Sequence, residues 1–241
     1  MIVKPVNENQ FSIWDEFVDN SFNGVFLNKQ RFLSYHDNRF KDASIIIEND
    51  KNNIIGLFPA AVAPNDSSCI ISHPGATYGG LIASKKCRGE TCIQTIENIC
   101  SYYSEHGYRR LVYKTIPYIY HRQPYQDDVY ALFRLGANKY RCDISATINL
   151  AARGQVTKGR KYEINKGKKN GITINSDIKY AENIWKIIEM GLLEKYQLKP
   201  VHSLKEILLL QSLFQKEITF SKKVRSHNGG KYYVFSLIEV F

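Results

Sequence analysis

The elements legible in this chain run once through a full pattern, restart near Gly171 and break off within the repeat. Caps, turns and hydrophobic periodicity read as strand, two helices, three strands, helix, strand, helix and strand up to Leu150. A strand, two helices and two strands then follow before Phe241. That succession points to an α/β protein with mixed sheets. It is expected to comprise a complete lobe over residues 1–150, a basic connector over 151–170 and the first half of a second lobe over 171–241.

The signals behind this order are local. Ile2 to Val6 reads as an edge strand, because Pro5 has no N–H for a central ladder. Ser12, with Asp15 three residues on, reads as a capped helix start, and Gly24 ends that helix. Asn28 opens a second helix to Phe40, on which Phe32, Tyr35, His36 and Arg39 share a face. Ala43–Glu48 and Ile54–Val62, joined by the polar 49–53 loop, read as a hairpin, with Cys69–Ser72 as a third strand. A helix from Gly89 to His106 is capped by Gly107, and Arg110–Lys114 is a strand. Asp127–Leu135 is a short helix stopped by Gly136, and Lys139–Leu150 reads as a strand. The restart offers strand Gly171–Asn175 and helices Ala181–Tyr196 and Ser203–Lys216. Ser203 and Glu206 form a capping box on the second of these, with Leu204, Ile207, Leu208 and Leu210 as core contacts. A last hairpin turns at His227–Gly230, and its final apolar strand would present an open edge suited to pairing with another chain.

With 241 residues, 44% of them hydrophobic, the chain can bury a proper core. No stretch approaches the roughly 20 apolar residues of a membrane span, and the N-terminus lacks an apolar leader, so a cytoplasmic location is expected. Five cysteines without a C-x-x-C pair suggest reduced thiols and no metal site. Cys92 and Cys100 share a helical stripe with Ile96, Ile99 and Tyr103, the pattern of small core residues. Against 23 acidic residues stand 33 Lys and Arg, and a net charge of +10 raises the expectation of an anionic partner without choosing one.

The stretch Ser72–Leu81 holds three glycines within six residues, beside His73, Thr77 and Tyr78. Such a loop either lets backbone approach a ligand or merely turns the chain between strand and helix. It resembles the loop of GNAT-superfamily proteins related to the Fem peptidoglycan-bridge aminoacyl transferases, in the branch associated with capsule and lipopolysaccharide biosynthesis. Trp14–Phe17 with Phe26–Leu27, Phe32–His36 with Arg39–Phe40, Ile116–His121 and Lys199–Glu206 resemble that branch as well. The resemblance implies tandem GNAT-like lobes and transfer of an acyl group to an amine. The donor would be acetyl-CoA, another acyl-CoA or an aminoacyl group, and the acceptor an anionic, sugar-linked cell-envelope precursor.

Under that resemblance His73, Thr77, Tyr78, Gly79, Tyr118, Arg122 and Lys199 are the expected acceptor-binding residues. Arg153, Lys158, Arg160 and Lys161 are expected to bind phosphate, and His202 is the candidate general base. The usual pyrophosphate signature is absent ahead of Gly89, so the first lobe is expected to be unsuited to CoA. In this fold the thioester docks on a strand and helix that the second lobe does not reach, and a chain ending there is expected to lack that site. The connector carries seven basic residues and one acid, Glu163, and supports a second reading as a non-catalytic module for RNA or another polyanion. Tyrosines between Tyr102 and Tyr140 could stack on bases, though packing explains most of them.

Overall fold

The computed structural model describes residues 1–225 and 237–240. The chain divides into two compact units, Met1–Cys142 and Asp143–Phe241. Unit 1 is an α/β structure. Its elements are β1 (Ile2–Pro5), α1 (Phe11–Asn20), α2 (Gln30–Leu33), β2 (Ile45–Glu48), β3 (Ile54–Phe58), β4 (Ala61–Ala63), β5 (Asp66–Ile71), β6 (Ile82–Ala83), α3 (Glu90–Glu105), β7 (Arg110–Val112) and α4 (Asp127–Arg134).

Four strands form an antiparallel sheet in the order β1-β2-β3-β6, and β4-β5-β7 form a second sheet in which β5 and β7 run parallel. The run Ile45–Ile47 is apolar throughout because β2 is covered on both faces. Ile45 and Ile47 join the cluster that takes in Ile96, Ile99 and Tyr103 of α3, while Ile46 joins Trp14 and Val18 of α1. Burying one such side chain contributes about 1.5–3 kcal/mol, so this double-sided strand anchors the unit. Pro5 lies on the edge strand β1, where a missing N–H costs nothing.

Several expected elements take a different form. The run Ile54–Val62 is two strands, because Pro59 cannot extend the ladder and the chain changes sheet there. Ser12 does not cap α1: the helix begins at Phe11, and the Asn7 amide donates to Gln10 Oε1 one turn earlier. Asp15 is buried instead, accepting from the Gln30 amide at 2.6 Å and from Arg31 Nε at 2.9 Å. The expected helix 28–40 is broken into 3-10 turns around α2, with Asp37 in the left-handed half of backbone space at φ 49°. Cys92 is buried in the core but Cys100 faces solvent, since the apolar stripe of α3 is narrower than the spacing implied. Residues 139–149 form no strand: Ile144 and Ile148 are exposed, and without a neighbouring strand alternation alone cannot hold a ladder.

Unit 2 comprises α5 (Lys158–Lys169), β8 (Ile172–Ser176), α6 (Ala181–Tyr196), α7 (Leu204–Leu213), β9 (Ile218–Arg225) and β10 (Leu237–Val240). Its strands form an antiparallel sheet in the order β10-β9-β8, so β10 is an edge among the described residues. The Ser203–Glu206 capping box is formed, with the Glu206 amide donating to Ser203 Oγ. Ile207 and Leu210 are buried, whereas Leu204 and Leu208 are half-buried. The turn at His227–Gly230 lies outside the described residues. No described helix is long and apolar enough to cross a membrane.

Candidate functional site

The loop after β5 is held by its own backbone partners. The Ser72 amide donates to Val112 O, the Lys114 amide to Ser72 Oγ at 2.7 Å, and the Gly79 amide to Lys114 O at 2.9 Å. Lys114 Nζ then donates to the carbonyls of His73 and Ala76, closing the loop from within. Burial, reinforced by repulsion from Arg141, lowers the Lys114 pKa.

The three glycines make room for this packing. A Cβ on Gly75 would meet His36 Nε2 at 2.2 Å, and one on Gly79 would meet the Ser72 carbonyl oxygen at 2.2 Å. A Cβ on Gly80, which is at φ +81°, would lie 2.6 Å from the Tyr113 ring. Close backbone approach is therefore required by the protein's own groups. Tyr113, the partner of Gly80, accepts from the Leu81 amide and donates to buried Asp128, both at 2.8 Å.

Two ring pairs give the loop its chemistry. His73, only 4% exposed and at φ 56°, stacks on His36 with centroids 5.6 Å apart, and Phe40 closes edge-on at 5.7 Å. His36 Nε2 lies 3.0 Å from the Gly75 carbonyl, while His73 Nδ1 is buried without a partner. Burial, then the neighbouring His36 and Lys114, lowers the His73 pKa to about 3, so its ring is neutral across the physiological range. Tyr78 stacks on Tyr120 at 5.3 Å and 24°. Burial, with Tyr120 adding to it, pushes the Tyr78 hydroxyl up to about 12, leaving it a hydrogen-bonding phenol.

His73, Thr77, Tyr78 and Gly79 thus share one loop, and Tyr120 brings the 118–120 turn against it. Thr77 is exposed, and Tyr118 is 69% exposed at that turn. Arg122 is engaged elsewhere, donating to Val18 O at 2.9 Å and Ser21 O at 3.2 Å, where it caps the C-terminal end of α1. Lys199 and His202 belong to unit 2, on the turn between α6 and α7. Arg153, Lys158, Arg160 and Lys161 are exposed on unit 2, the last three on α5. Sequence reasoning did not single out His36, Phe40 or Lys114 as site residues, and the Phe32–His36 spacing was the available signal for the first of them.

The residues of unit 1 do not fit acetyl-CoA. A pyrophosphate needs open amides at a helix N-terminus, yet the Gly89 amide already donates to the Asp127 carboxylate at 2.7 Å and Glu90 adds a second negative charge. A pantetheine arm would need a gap between parallel strands, but β5 and β7 pair from Cys69–Arg110 to Ile71–Val112, and the Ser72, Gly79 and Lys114 bonds continue the seam.

No family model and no curated protein matches the chain. Among solved structures, that of FemX is similar with a TM-score of 0.58 and 10% sequence identity, over 92% of this chain and 57% of FemX. The chain spans somewhat more than half the length of that neighbour, and the likeness shows that it has a FemX-like α/β fold.

Proposed function

We propose that this chain is part or all of a Fem-like transferase of the GNAT superfamily. It would move an acyl or aminoacyl group onto an amine of an anionic, sugar-linked cell-envelope precursor on the cytoplasmic side. The observation that carries the proposal is the FemX-like fold, which extends over 92% of the chain and hence into both units. Acceptor binding is assigned to unit 1, on the face made by Thr77, Tyr78, Tyr118 and Tyr120, with the buried His73 beneath the loop that carries the first two. Tyr78 and Tyr120 offer ring faces and hydroxyls suited to a sugar or base.

The His73 pKa constrains its part in the reaction. A ring whose conjugate acid has a pKa near 3 is a poor acceptor for an ammonium proton, so His73 positions and excludes water while the amine reacts in its neutral form. Acetyl-CoA or another donor is assigned outside unit 1. Lys199, His202, Arg153, Lys158, Arg160 and Lys161 supply unit 2 with candidate anion and proton contacts.

Calorimetric titration of the chain with a nucleoside-diphosphate-linked amino sugar tests this. Saturable heat that Tyr78→Ala removes supports the acceptor assignment, whereas no heat up to millimolar ligand overturns it.

A second reading is favoured by the charge distribution. Unit 2 holds 17 Lys and Arg against 9 Asp and Glu, and so carries +8 of the chain's +10. On α5, Lys158, Tyr162, Lys166 and Lys169 fall on one exposed face, a basic stripe around a ring suited to single-stranded RNA. Binding of an RNA oligomer that weakens steeply with salt would support this reading, and no binding at low salt would remove it.

A further inference from the structure

Cys87 and Cys92 lie at the turn into α3, both with no exposed surface. Cys87 Sγ donates to Thr95 Oγ1 at 3.6 Å, and Thr95 stands about one turn along α3 from Cys92, whose Sγ lies 3.2 Å from the Tyr125 hydroxyl. Gly89, at φ +51°, makes the bend that brings the two residues together.

The segment that carries Cys87 is an exposed crossover. Lys85, Lys86 and Arg88 face solvent on either side of it. It is tied down chiefly through the neighbouring 124–127 segment: Arg88 Nη2 donates to Pro124 O at 2.9 Å and the Gly89 amide to Asp127. Local opening of those bonds would expose Cys87 beside three cations, a setting that attracts an anionic disulfide such as oxidised glutathione.

We propose that Cys87 and Cys92 form a dithiol that closes to a disulfide by exchange with a low-molecular-weight disulfide, and that closure loosens the loop bearing Tyr118 and Tyr120. The Cys87 thiolate attacks one sulfur of the external disulfide and expels the first thiolate. Cys92 then gives up its proton and attacks Cys87 Sγ, expelling the second. The pair loses two electrons and two protons, and the external disulfide is reduced to two thiols. Cys87 suits the attacking role because it lies next to the exposed residues of the crossover and its neighbours, Cys92 foremost, lower its pKa, while Cys87 and burial raise that of Cys92.

Closure has a consequence beyond the pair. A disulfide leaves beside Tyr125 a sulfur that cannot donate and accepts only weakly, so the buried hydroxyl at the end of the 116–125 segment holds its partner less well. Tyr125 packs against Phe22 and His121, so the strain falls on the residues that carry the aromatic turn.

The test uses the full chain with Cys100→Ser and Cys142→Ser, which removes the two exposed thiols. The protein is equilibrated in glutathione buffers of rising oxidised fraction, acid-quenched, denatured and alkylated with N-ethylmaleimide for intact mass. The expected result is a single step from three alkylated cysteines to one, at Cys69, with no glutathione retained. With Cys92→Ser added, one glutathione should remain on Cys87. Hydrogen exchange over residues 116–126 should be faster in the oxidised form. Three alkylated cysteines at every ratio, glutathione retained on the intact pair, or a bridge to Cys69 would overturn the disulfide. Unchanged exchange with the bridge formed would overturn its link to the aromatic turn.

Discussion

Unit 1 and unit 2 solve different problems with similar parts. In unit 1 the central strands β2 and β3 pack into a cluster on each face, and the loop after β5 is closed by Ser72, Lys114 and glycine contacts. Its charge nearly balances, with 16 Lys and Arg against 14 Asp and Glu. Unit 2 keeps the same kinds of element but carries +8, and α5 has no buried residue. Stability in the first is set by packing, where single atoms matter. The surface of the second is set by charge, where single residues should matter little to folding and more to binding.

That contrast makes four predictions. Gly79→Ala places a Cβ against the Ser72 carbonyl oxygen and should destabilise unit 1 by about 3 kcal/mol or more in urea unfolding. A variant as stable as the parent would mean that the loop is not closed as described. Tyr113→Phe leaves the Leu81 amide and the Asp128 carboxylate without their hydroxyl partner and should cost about 2 kcal/mol. The same measurement checks it, and a loss below about 0.5 kcal/mol would count against the network.

The third concerns pH. His73 has a folded pKa near 3 against an ordinary 6.5, so the unfolded chain takes up a proton that the folded one refuses. Its contribution is complete above pH 6.5 and is lost as pH falls toward 3, by up to about 1.4 kcal/mol per unit. Asp42 and Asp128, both raised by burial, act in the opposite sense at acidic pH. The difference between the parent and His73→Asn isolates the histidine, and Asn tolerates the left-handed backbone there. Parallel pH curves for the two proteins would refute the neutral buried ring.

Last, replacing Lys158, Lys166 and Lys169 with Gln should change unfolding by no more than about 0.5 kcal/mol. It should nevertheless flatten the salt dependence of any polyanion binding.

What the sequence disclosed follows the same division. The strands 45–48 and 54–58 were legible because burial on both faces leaves an unbroken apolar run, and the cap at Ser203 because its partners are local. Residues 139–149 misled because a strand needs a neighbour, and alternation carries no information about one. The His36–His73 stack was invisible: its members are far apart in the chain and depend on left-handed residues at Asp37 and His73 that no periodicity encodes. The glycines of the 72–81 loop were visible, but whether a ligand or the protein fills the space beside them depends on His36, Ser72 and Tyr113.

The Tyr78–Tyr120 face is best tested by calorimetry of a nucleoside-diphosphate-linked amino sugar against the parent chain and Tyr120→Ala. Loss of the stacked ring should weaken binding about tenfold, the equivalent of about 1.4 kcal/mol, with the urea midpoint unchanged. Equal affinity in the two proteins would contradict an acceptor site at this face.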